Sequence, residues 1–209
     1  MGGGGTIAAF VVPVLTLVVV VPLVFVILQA IFPDLGAGSL ANPFSSLERL
    51  FSDPNIGRWT LNTLMLGIAV VFFSALVAVP LGILRGLFNV PLAGFWDLMF
   101  LVPFTIPPYI AALGWIMTLQ PRGYLEQLAG INLGSFLFSF WGVVFVMTLN
   151  VFPVVYFAVS RTVSSIGGRY TEAARLSGAG PVRAFFRITL PLATPSIAAS
   201  LLLVFAMAI

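Results

Sequence analysis

Nine arginines and six carboxylates are the only charged side chains in 209 residues; histidine, cysteine and lysine are absent. That inventory removes most chemistry before any fold is considered. Without histidine there is no Ser-His-Asp relay and no HExxH zinc site. Without cysteine there is no disulfide, thiolate metal site or cysteine nucleophile. Without lysine there is no Schiff base and no P-loop lysine, so ATP hydrolysis of the P-loop kind is excluded for this chain on its own. No catalytic residue and no metal site are expected. The remaining charge gathers in residues 161–195, which hold five of the nine arginines and Glu172. Residues 169–177 are rich in helix formers, and Glu172 falls in the first turn, where the helix dipole favours an acid. Gly178 stands where a glycine ends a helix, and Gly180 and Pro181 sharpen the turn. A second helix, from Val182 to about Leu190, puts Arg183 and Arg187 on one face and Phe186 with Val182 on another. Leu190-Pro191 is expected to close it. Such a hairpin fits a recognition element. On these residues alone it suits anionic lipid headgroups as well as a partner protein.

The elements that must carry this hairpin are apolar. Hydrophobic residues make up 60% of the chain and charged ones only 7%, against about 25% charged in a soluble domain. Disorder is excluded by the same numbers. A nucleic-acid partner is not expected, because there are too few cations to build a basic face. Five apolar runs stand out, at residues 7–32, 61–84, 98–119, 135–159 and 195–209. A bilayer span takes about 20 apolar residues. The first run is too long, and its flank too free of positive charge, for a signal peptide. The last is short of a full span, so a partial chain is expected. None shows the alternation of a barrel strand, which leaves an all-α integral membrane protein: a polytopic bundle of about five helices in one membrane domain over 1–209. The stretch at Ser46 in the first loop reads as a short interfacial helix.

Arginine counting sets the orientation. Loops two and four hold Arg85, Arg161, Arg169, Arg175, Arg183 and Arg187; loops one and three hold Arg49, Arg58 and Arg122. The excess places the N-terminus and residues 161–194 in the cytoplasm. Inside the spans, Thr105, Thr148 and Asn150 are polar groups at membrane depth, and Pro103, Pro107 and Pro108 crowd one helix. Broken helices mark transport pathways, so Thr105, Pro107, Pro108, Tyr109 and Asn150 form the candidate path. Helix–helix hydrogen bonding is the commoner role for such polar groups.

Glu172-Ala173-Ala174, three residues, Gly178, nine residues, then Ile188-Thr189-Leu190-Pro191 resembles the EAA loop of ABC importer permeases of the binding-protein-dependent class, with every fixed position matched. The resemblance implies a type I permease fold in a bacterial or archaeal inner membrane. It implies that Glu172, Ala173, Ala174, Gly178, Ile188, Leu190 and Pro191 shape coupling helices that dock on a separate cytoplasmic ATPase dimer, with Phe185 and Phe186 as apolar anchors. ATP and magnesium would be bound by that ATPase, leaving no cofactor on this chain. An extracytoplasmic substrate-binding protein and a second permease half or homodimer partner are implied too, with membrane lipid around them. Residues 101–116 resemble ferric-iron permeases, and more loosely those for thiamine, polyamines or aminophosphonates, in which two halves are often fused; this chain would be most of a first half. Two other classes stay open at this point. A membrane scaffold could use the same hairpin. A secondary transporter is disfavoured, because coupling ions usually leave an acid or histidine within the spans.

Overall fold

The computed structural model describes residues 11, 13–176 and 180–209, and of residues 167–176 the backbone alone. All regular structure among them is helical, as expected for an all-α membrane protein. The chain divides into two compact units, one ending at Thr60 and the other covering Leu61–Ile209.

The first unit contains helix α1, Pro13–Ile31, long and apolar enough to span a bilayer and with none of that span buried within the fold. A side chain exposed all round an apolar helix is a side chain meant for lipid. Its polar sequel includes helix α2, Ser45–Ser52, which covers the stretch expected to lie at the interface; Arg49 donates back to the Ser45 carbonyl and hydroxyl.

The second unit is built around helix α8, Phe140–Leu176. Half of its span-forming residues are buried, against 22% for α3, Ile56–Leu87, and for α9, Pro181–Ala208. That difference makes α8 the central rod. Val144, Val151, Val155, Tyr156, Val159 and Val163 form its buried stripe at helical spacing. Helix α3 packs on it through small residues. A Cβ added at Gly82 would lie 2.9 Å from Val159 Cβ, and one at Gly86 would lie 2.7 Å from Val163 Cβ and 2.9 Å from the Ser160 carbonyl. Close backbone approach of this kind is what small residues allow in membranes, where no hydrophobic force drives helices together. Gly86→Val is therefore expected to force the helices apart, costing about 1–3 kcal/mol as overpacked cores do. A lower melting temperature in detergent would show it; an unchanged one would mean α3 is not seated there.

Three expectations change in detail. Residues 98–119 are not one straight span. They fall in α4, Ala93–Thr105, and α5, Pro108–Leu119; α5 and the following helix α6, Tyr124–Ala129, make one arm bent 98° from α4. The cause is Pro107-Pro108. A residue before proline is pushed out of the helical region, and Ile106 and Pro107 are extended, with ψ of 127° and 132°. Next, the helix of the fourth apolar run does not end near Ser160. After the four-residue helix α7, Gly134–Leu137, α8 runs on to Leu176 without a break. Pro153 inside it is fully buried, a placement that neighbouring helices make tolerable. Finally, Leu190-Pro191 does not close a separate helix. Phe185–Thr189 form a π-helical turn in which the Leu190 N–H donates to the Phe185 carbonyl, five residues back. The wider turn lets α9 pass Pro191 unbroken, and the helix of the fifth apolar run thus starts at Pro181 rather than Pro195.

Candidate functional site

Two regions carry the residues singled out from the sequence, and α8 belongs to both. The first is the break between α4 and α5. In an uninterrupted helix the Pro103 carbonyl would accept from the N–H of residue 107, but Pro107 has none. Asn150, half-buried on α8, supplies the missing donor: its Nδ2 lies 2.7 Å from the Pro103 oxygen. An unsatisfied carbonyl at membrane depth is costly, so this bond holds the break in place. Asn150 also lines two hollows beside it. One, about 360 Å³, is lined by Pro108, Ala112, Leu137, Val143 and Met147 among others. The other, about 670 Å³, is lined by Pro103, Ile110, Trp115, Leu149 and Phe152. Both are apolar apart from Asn150 and, in the second, Thr118.

The structure thus brings Pro108 and Asn150 together. Thr105, Pro107 and Tyr109 line neither hollow. The Thr105 hydroxyl donates to the Val102 carbonyl on its own helix, and Tyr109 is exposed. Thr148, also at membrane depth, is buried and has no hydrogen-bond partner among the described residues.

The second region is the end of α8 and the start of α9. Glu172, Ala173 and Ala174 lie in the last turns of α8, their side chains outside the described residues, and Gly178 lies outside them altogether. Further along the chain, Phe186 is 61% exposed and Phe185 half-buried, their rings edge to face at 5.0 Å. Ile188 and Leu190 are half-buried and Pro191 exposed. Val182, Arg183, Phe186 and Arg187 line one shallow hollow with Gly180 and Pro181. The basic pair Arg183 and Arg187 and the apolar pair Val182 and Phe186 thus border a common opening.

Sequence reasoning missed a third feature. Arg85, in the last turn of α3, places Nη2 3.1 Å from Asp97 Oδ2 on α4 and Nε 3.3 Å from both carboxylate oxygens. The Tyr156 hydroxyl on α8 donates to Asp97 Oδ1 at 2.6 Å. Asp97, which just precedes the apolar run at residues 98–119, stands inside α4. One clue was available: a tyrosine in an apolar run must find a hydrogen-bond partner when buried, and Asp97 is the one acid between Asp53 and Glu126. Asn150 and Tyr156 together bolt both ends of α4 to α8, six residues apart on each antiparallel helix.

Residues 78–209, more than half of the chain, match the family described as binding-protein-dependent transport system inner membrane component. The chain belongs to this family. Relatives include the molybdenum transport system permease protein ModB of Escherichia coli, 28% identical over 75% of this chain and 69% of that protein. The diacetylchitobiose uptake system permease protein NgcG of Streptomyces coelicolor is 26% identical over 88% of this chain and 59% of its own length. The sn-glycerol-3-phosphate transport system permease protein UgpA of Salmonella typhimurium is 33% identical over 59% of this chain and 46% of its own. The family places the chain as a multi-pass component of the inner membrane, and its relatives are transport permeases rather than enzymes. None of the three names is an iron permease, so the iron-type expectation drawn from residues 101–116 is not supported. The prolines of that run act on the backbone: they break the helix whatever passes beside it.

Proposed function

We propose that this chain is the permease subunit of an ATP-driven importer. It forms half of the translocation path, and a second copy or a second permease half forms the rest. ATP and magnesium are bound by a cytoplasmic ATPase dimer that docks on residues 169–191, and cargo is delivered by an extracytoplasmic binding protein. The N-terminus then lies in the cytoplasm, in line with the six-to-three arginine count. The path runs beside the α4–α5 break, past Pro108 and Asn150. The observation that supports this most is the continuity of α8: the Asn150 that holds the break and the Glu172 segment sit on one unbroken helix. A rod with the docking segment at one end and the break's clamp on its shaft is what a bistable bundle driven from outside requires. The hollows at the break offer few polar groups, so cargo selection falls to the binding protein.

Affinity purification of the full chain from native membranes in detergent, with bound proteins identified by mass, tests the reading. Recovery of a P-loop ATPase is expected. Recovery of other membrane proteins without any ATPase would favour a scaffold.

A further inference from the structure

The Arg85–Asp97–Tyr156 clasp separates two hollows of opposite character that share Arg85. One, about 210 Å³, is lined by Arg85, Asp97, Phe157, Ser160, Arg161 and Ser164. The other, about 300 Å³, is lined by Leu81, Leu84, Val90, Trp96, Phe100 and Tyr156 besides Arg85. The charge count of the first is uneven. Asp97 is bonded by Arg85 and Tyr156, while the exposed Arg161 makes no side-chain hydrogen bond or ion pair among the described residues and acts on Asp97 only through space. The hollow therefore carries one net positive charge next to an aromatic, apolar trough.

Depth along α8 says what meets that charge. From Trp141 to Arg161 the helix rises about 30 Å at 1.5 Å per residue, and the hydrocarbon core is about 30 Å thick. With exposed Trp141 at one interface, Arg161 stands at the other, and exposed Trp96 beside the trough is the aromatic common at that level. We infer that this is a binding site for one anionic phospholipid. Its phosphate lies on Arg161 and the free edge of Arg85, and one acyl chain lies along Leu81, Leu84 and Phe100. The bound lipid would bridge α3, α4 and α8 at the end where α8 continues towards Glu172. The inference does not depend on the chain being a permease, since it concerns this chain and lipid alone.

Native mass spectrometry of the purified full chain in detergent tests it, with dioleoyl phosphatidylglycerol, dioleoyl phosphatidylcholine and inorganic phosphate as separate probes. One phosphatidylglycerol should be retained about fivefold more than phosphatidylcholine, the discrimination expected of one arginine near a headgroup. Arg161→Gln should remove that preference, and Arg122→Gln, in the loop before α6, should leave it intact. Arg161 takes part in no packing bond, so its variant should fold. Leu84→Trp should fill the trough and reduce phosphatidylglycerol retention with Arg161 in place. Equal retention of the two lipids, or a preference that survives Arg161→Gln, overturns the site. Displacement of phosphatidylglycerol by millimolar phosphate would show a site for free anion and overturn its assignment to lipid.

Discussion

Glu172→Arg is expected to leave insertion and folding intact while lowering recovery of the ATPase at least about tenfold, a loss of about 1.4 kcal/mol in binding. The backbone at position 172 belongs to α8, not to a separate short helix. Reversing its charge therefore acts near the end of a long helix, where the dipole is negative and a cation is not penalised. The fold should tolerate the change. The partner should not, if Glu172 meets a basic group on the ATPase, because placing like charges opposite one another costs far more than losing one attraction. Wild type and variant would be purified side by side from native membranes and their ATPase content compared by mass. Equal recovery would move the docking contact elsewhere, to the exposed Phe186 and Arg187 as the next positions to test. Parallel loss of the permease itself would show a folding defect instead.

Asn150→Leu is expected to loosen the break between α4 and α5. Leucine keeps the branching at Cγ and removes the donor to the Pro103 carbonyl. Side-chain hydrogen bonds between membrane helices average only about 0.6 kcal/mol, because a lost partner is usually replaced. Replacement is hard here. Pro107 and Pro108 carry no N–H, and the Ile106 N–H already reaches the Val102 carbonyl at 3.3 Å. The cost should therefore approach the about 1–3 kcal/mol of a stranded buried acceptor. At about 2–4 °C per kcal/mol for a chain of this size, the melting temperature in detergent should fall by several degrees. Transport by the assembled importer should fall with it. A parental melting temperature would show that the carbonyl finds another donor. By contrast, Pro107→Ala should keep the bend, because Pro108 still bars residue 107 from helical angles. A spin-label distance from α4 to α5 equal to that of the parent would confirm it.

The two variants differ in how far the sequence alone could have led to them. The spans were legible because a run such as residues 61–84 declares itself by length and lack of charge. The segment proposed to dock was picked out because Glu172-Ala173-Ala174, Gly178 and Ile188 to Pro191 keep a fixed spacing. The side of the membrane was proposed from arginine counts, which need no contacts. Even the position of the break was visible, since Pro107-Pro108 acts on local backbone angles and nothing distant.

Apolar length, helix breaking and motif spacing depend on neighbours along the chain, and these were readable before any contact between helices was known. The tertiary structure alone decided which distant groups satisfy one another. That Asn150 serves the Pro103 carbonyl, that Asp97 joins Arg85 and Tyr156, and that α8 and α9 run through the segments expected to end them all depend on helices brought together in space. The physical reason is the solvent. Where water cannot hydrogen-bond a freed carbonyl or a tyrosine hydroxyl, its partner must come from another helix, and the identity of that helix is not written in local spacing.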